Sequence, residues 1–194
     1  MSQKTGEKSE KSFIVITGAS SGIGEACACR FNKEGYPLLL LDCKKGELEK
    51  KFGKMDNVMI SEIDVSKYED MCRAFEKAEK SFGSCCCLIN NAGLALLGKM
   101  EDQELEEWEK MMKVNVCGVL HGIRCVLKNM KENKCGTIIN ISAESIDECF
   151  ENSTMFCATK AAVNAISEGV RKEAAMCGVK VTTISPGLVE VKQT

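Results

Sequence analysis

A chain of 194 residues with a formal net charge of −2, its Lys and Glu interleaved along the sequence, offers no basic face to nucleic acid or an anionic membrane. The length and the 44% of hydrophobic residues suit one buried core, and no apolar run reaches the length of a membrane span. Thirteen cysteines include Cys85, Cys86 and Cys87 in succession, but no CxxC pair occurs and His121 is the one histidine. The spacing of a zinc site is therefore missing and no metal is expected; the cysteines read as small apolar filler in a reducing, cytoplasmic compartment.

Residues 1–12 are polar, lack the apolar stretch of a secretory signal and read as a flexible tail. From Phe13 onward, short apolar runs alternate with longer amphipathic ones. Strands are predicted at 13–17, 37–41, 58–63, 86–90, 136–142 and 179–185, and helices at 22–34, 45–54, 66–82, 101–130 and 154–177. Most strand runs are continuously apolar, as strands covered on both faces should be. Strict alternation of strand and helix implies a parallel sheet with right-handed crossovers. The expectation is a single α/β domain over 13–194, a Rossmann-type doubly wound sheet of six strands in the order 3-2-1-4-5-6 with helices on both faces.

The first strand runs straight into "TGASSGIG" (17–24), with glycines at Gly18, Gly22 and Gly24 and Ser20, Ser21 and Ile23 between them. Gly18 lets the chain turn sharply out of the strand. Gly22 and Gly24 allow close approach of a pyrophosphate, held by free amides and the positive end of the opening helix. Asp42 ends the second strand, where a carboxylate meets the hydroxyls of an adenosine ribose and repels a 2′-phosphate. That favours NAD over NADP, although Lys44 and Lys45 follow at once and would attract such a phosphate.

These motifs, with Asp64 and Val65, "NNAG" (90–93), "VNV" around Asn115, the Phe156-to-Lys160 segment and "SPG" (185–187), resemble the short-chain dehydrogenase/reductase family in order and spacing, from residue 13 to about 190. The resemblance implies an NAD(P)-dependent oxidoreductase acting on alcohols and carbonyls. Gly18, Gly22 and Gly24 would bind the pyrophosphate, and Asp64 and Val65 would flank the adenine. Asn91, Ala92 and Gly93 would line the cofactor floor, with Pro186 and Gly187 beside the nicotinamide. Lys160 would bond the nicotinamide ribose, and Asn115 would anchor a water chain to that lysine. The resemblance also implies a homodimer through helices 101–130 and 154–177.

Three departures stand out. The family's catalytic tyrosine, four residues before the lysine, is here Phe156, which has no proton to exchange. The family's serine, thirteen residues before the tyrosine, is Ala143, with Ser142 and Ser145 close by. The chain also stops after the sixth predicted strand, where the family continues into a lid, a seventh strand and a further helix. The expectation is a cofactor-binding scaffold with impaired catalysis. One alternative is an active enzyme that recruits Ser142, Ser145 or Thr154 as its hydroxyl. Another is a truncated partner or regulatory subunit without activity.

Overall fold

A computed structural model describes residues 12–146 and 148–189. The polar tail expected over 1–12 lies outside them, except for Ser12, which opens a strand. Among the described residues one parallel sheet is formed by β1 (Ser12–Thr17), β2 (Leu38–Asp42), β3 (Val58–Glu62), β4 (Ser84–Asn90), β5 (Gly136–Ile141) and β6 (Val179–Ile184). Its order is β3-β2-β1-β4-β5-β6, the doubly wound order expected. The order reverses between β1 and β4, and a crevice opens there at the carboxyl ends of the strands.

The continuous apolar runs are explained by two cores. Side chains alternate across a strand, so Phe13, Val15, Leu39 and Leu41 face one way and Ile14, Ile16, Leu38 and Leu40 the other. The first set packs against Met71 and Phe75 of α3 (Tyr68–Phe82), Ile123 and Val126 of α5 (Gly118–Glu132) and Val163 of α6 (Thr154–Ala174). The second set packs against Ala28 of α1 (Gly22–Lys33) and Leu48 and Phe52 of α2 (Lys45–Phe52). All four leucines of β2 are fully buried, and each contributes about 1.5–3 kcal/mol by leaving water. A strand with one polar face would forfeit half of that.

The helix expected over 101–130 starts later and is interrupted. It comprises α4 (Leu105–Met111), one widened turn at Met112–Cys117 and then α5. Such π-type turns hold an extra residue within a helix, and here the turn contains Asn115. That side chain accepts the Leu94 amide at 2.7 Å, and its Nδ2 donates to the Leu94 carbonyl at 2.8 Å and to Thr159 Oγ1 at 3.0 Å. One buried amide thus satisfies both backbone groups of a loop residue, a task that fixes where Asn115 must sit. Ahead of α4 the chain is a turn rather than a helix. It is tied by Gln103, whose Nε2 donates to the Leu96 carbonyl and whose Oε1 accepts the Trp108 indole N–H.

The cysteines correct one expectation. Cys85 and Cys157 are buried, but Cys29, Cys43, Cys135 and Cys149 are exposed, so apolar filler does not describe them all. His121 serves as a packed connector: its Nδ1 lies 2.9 Å from the Val65 carbonyl and its ring stands 5.4 Å from that of Tyr68.

Candidate functional site

The turn between β1 and α1 is built around backbone shape. Gly18 and Gly22 have φ of +64° and +56°, a region that residues with a Cβ avoid. A Cβ on Gly18 would also stand 2.8 Å from the Ala92 Cα, so glycine is required there for both conformation and room. Thr17 Oγ1 accepts the amides of Asn91 and Ala92, each at 3.0 Å, while Asn91 Nδ2 donates to the carbonyls of Thr17 and Gly18. The turn and the loop after β4 are therefore laced into one floor. Ser21 precedes α1 in an extended conformation, and its side chain caps none of the helix's amides. These first amides have no intrahelical partner and, with the helix dipole, suit an anion.

The floor opens into a cavity of about 1350 Å³ across the carboxyl ends of the sheet. Gly18, Ser20, Ser21, Ile23, Asp42, Asp64, Val65, Asn91, Ala92, Gly93, Lys160, Pro186 and Gly187 all line it, as do Phe156, Ala143 and Ser142. Three of the residues singled out in the sequence stand behind the wall. Gly22 shapes the turn. Gly24 packs against it, where a Cβ would intrude on the Gly18 carbonyl and lie 2.5 Å from Asn91 Nδ2, so it lets the helix sit close on the turn. Asn115 is 1% exposed and its side chain is committed to Leu94 and Thr159, so it acts as a brace.

Asp42 is buried, and each of its oxygens already has a backbone partner at 3.0 Å: Oδ2 accepts the Ser20 amide and Oδ1 the Lys44 amide. The carboxylate thereby fixes the glycine turn to the end of β2. Each oxygen retains a lone pair for a further donor.

At the other end, Lys160 projects from α6 with its Nζ donating to the Ile141 carbonyl at 2.8 Å. The residue is only 7% exposed, and burial lowers its ammonium pKa to about 8. Phe156, one turn earlier on the same face, has its ring centroid 5.9 Å from that nitrogen. Ser142 turns away from the role considered for it, because its hydroxyl donates to the Lys160 backbone carbonyl at 3.2 Å. Thr154 is exposed and does not line the cavity. Ser145 does line it and receives the Cys157 thiol, 3.6 Å from its Oγ.

Sequence reasoning missed Lys110, Val114, Glu144, Glu148 and Phe150, which also line the cavity. They come from α4, the widened turn and the loop after β5, and no local motif marks them. Only the folding of those segments over one crevice could have revealed them.

The short chain dehydrogenase family matches residues 12–194. This chain belongs to that family. An uncharacterized oxidoreductase of Staphylococcus aureus (strain MRSA252) is 40% identical over 184 residues, which are 94% of this chain and 80% of that protein. Among short-chain dehydrogenase folds of known structure, a 3-ketoacyl-(acyl-carrier-protein) reductase from Brucella melitensis complexed with NADH superposes with a TM-score of 0.89 at 31% identity, covering 94% of this chain and 78% of the other. ElxO with NADP bound superposes with a TM-score of 0.87 at 28% identity, covering 94% and 75%. A tyrosine-to-phenylalanine variant of ElxO, solved with NADPH bound, gives the same TM-score at 29% identity.

Proposed function

We propose that this short-chain dehydrogenase binds a nicotinamide dinucleotide and is impaired in hydride-transfer chemistry on alcohols and carbonyls. One observation carries the reading: a cavity floored by the Gly18 turn, with Lys160 at its far end beside the bare ring of Phe156. Gly18, Ser20, Ser21, Ile23 and the α1 amides would hold the pyrophosphate, with Gly22 and Gly24 setting the turn. Asp42 would hold the adenosine ribose, and Asp64 and Val65 the adenine. Asn91, Ala92, Gly93, Pro186 and Gly187 would flank the nicotinamide half, and Lys160 its ribose. When bound, the dinucleotide supplies or accepts a hydride. The residues must then move the matching proton, and Phe156 and Ala143 have none to move. In ElxO a tyrosine-to-phenylalanine variant was solved with NADPH bound, which supports cofactor binding on this fold without that one phenol.

Both cofactor forms occur among the similar structures, NADP with ElxO and NADH with the reductase. The reading takes NAD for this chain, because the Asp42 carboxylate lines the cavity and would repel a 2′-phosphate, against the attraction of Lys44 in the same lining. Fluorescence titration of the purified chain is expected to show saturable binding of NADH, weaker binding of NADPH, and no turnover across a panel of alcohols and carbonyl compounds. Absence of binding by either form removes the ligand reading. Turnover in the ordinary range of about 1–10³ s⁻¹ removes the impairment, and Ser145 is then the hydroxyl to mutate first.

A homodimer through α4–α5 and α6 belongs to the same reading. Leu105, Met112 and Leu120 lie along the α4–α5 segment 64%, 39% and 42% exposed, apolar area that a two-fold contact would cover. Sedimentation at micromolar concentration is expected to give twice the chain mass; a single-chain mass overturns it. Among the described residues no helix is long and apolar enough to cross a membrane. A cytoplasmic location is part of the proposal, supported by thirteen cysteines in 194 residues, a usage suited to a reducing compartment.

A further inference from the structure

Lys160 holds an amine that the proposed chemistry leaves without a proton-exchanging partner. Lys160 lines the cavity, and the one hydrogen bond of its Nζ among the described residues goes to a neutral backbone carbonyl, that of Ile141. Among the described residues it makes no ion pair. Gly93 leaves room beside it: a Cβ there would stand 3.4 Å from the nitrogen. On the helix side the neighbour is the Phe156 ring, which offers no hydroxyl to bond the amine.

The geometry points to Lys160 as a nucleophile that captures small neutral aldehydes from the cavity as a Schiff base. The nitrogen lone pair attacks the carbonyl carbon, and the carbonyl oxygen takes up a proton to give a carbinolamine. Loss of that oxygen as water, with the nitrogen's proton, forms the C=N bond, so no oxidant or reductant is needed. A lysine desolvated in an apolar pocket is activated for this step because burial disfavours its charged form. Here burial brings the pKa to about 8, against about 10.4 for a lysine in water. Neutral aldehydes are the class because, apart from Lys160, the carboxylates of Asp42, Asp64, Glu144 and Glu148 outnumber the lysines Lys44 and Lys110 in the cavity lining and oppose an anion such as glyoxylate. The capture depends on the cavity and the amine and not on dinucleotide binding, so either reading can fail without the other.

The test uses the whole chain, propanal and cyanoborohydride, with peptide mass mapping of each propylated lysine over time. At pH 8 Lys160 is expected to be trapped about 10- to 100-fold faster than the exposed lysines, in line with its larger neutral fraction. Its labelling should rise through a midpoint of about 8, whereas labelling of the exposed lysines continues to rise above that pH. Glyoxylate, compared at matched concentration and normalised to an exposed lysine, should label Lys160 more slowly. Lys160→Met should lose the fast site while the exposed lysines react as before. Labelling of Lys160 in the unaltered chain no faster than that of exposed lysines overturns the proposal, as does faster labelling by glyoxylate than by propanal. Because that result comes from the unaltered protein, a misfolded variant does not protect the idea.

Discussion

Restoring both hydroxyls, with Phe156→Tyr and Ala143→Ser together, is expected to raise dinucleotide-dependent carbonyl reduction by about 10²–10⁴-fold over the unaltered chain. The expectation follows from where the two side chains already stand. The Phe156 ring centroid lies 5.9 Å from Lys160 Nζ, so a hydroxyl on that ring would feel the ammonium and lose its proton below the usual phenol range. Ala143 lines the same cavity, and a serine there would offer a donor to the developing oxyanion. Phe156→Tyr alone is expected to recover part of the gain. Ala143→Ser alone should recover almost none, because stabilising an oxyanion does little without a proton to complete the reaction, and such residues act as a unit. The measurement is NADH or NADPH consumption with a carbonyl panel, beside fluorescence binding for each variant. A double variant that binds the dinucleotide as tightly as the unaltered chain and remains silent would show that the missing hydroxyls are not what limits the reaction.

The second large effect is expected at Gly24. A Cβ there would intrude on the Gly18 carbonyl and sit 2.5 Å from Asn91 Nδ2. Both obstacles are parts of the laced floor, so neither can swing aside as a flexible side chain would. Gly24→Ala must lift α1 off the turn or break the hydrogen bonds from Asn91 to Thr17 and Gly18. Overpacking of this kind costs about 1–3 kcal/mol, or roughly 2–12 °C in Tm for a chain of this size. Displacing the start of α1 also moves the free amides, so dinucleotide affinity should fall by at least about tenfold, which is about 1.4 kcal/mol. Gly46 is the internal contrast. It lies in α2 with nothing within 4 Å of a built Cβ, so Gly46→Ala should leave binding unchanged and raise stability slightly, since alanine is the better helix former. Equal melting temperatures for Gly24→Ala and the unaltered chain, with unchanged binding, would mean that the close packing at the turn is not what holds the cradle.

The order of elements, the strand cores and the glycine turn could be read from the sequence because each depends on near neighbours. "FIVIT" and "PLLLL" are apolar at every position, and a strand of that kind has to be covered on both faces. The structure does this with α1 and α2 on one side and α3, α5 and α6 on the other. "TGASSGIG" was legible for the same reason: positive φ at Gly18 and Gly22 is a local demand of a tight strand-to-helix turn. By contrast, the helix over 101–130 could not be read correctly, because its widened turn answers to Leu94 and Thr159, which are remote from Asn115 in the chain.

The chemistry at the cavity was decided by the tertiary structure. Sequence counting placed Ser142, Ser145 and Thr154 on equal terms as substitute hydroxyls. Which way each points depends on contacts that no local pattern contains. Pairing of β5 with β6 places the Ser142 amide on the Ile184 carbonyl at 2.8 Å and turns its hydroxyl to the backbone of α6, leaving Ala143 facing the cavity. Thr154 is left outside it at the exposed start of α6. Lys160 is a similar case: the sequence placed a lysine one turn after Phe156, and only its burial against β5 gives an amine with a pKa of about 8. The sequence by itself determined which residues make the sheet and the anion cradle, since apolar periodicity and backbone conformation act over a few residues. The direction of a hydroxyl and the acidity of an amine are set by solvent exclusion and hydrogen bonds between distant segments, and those exist only once the chain is folded.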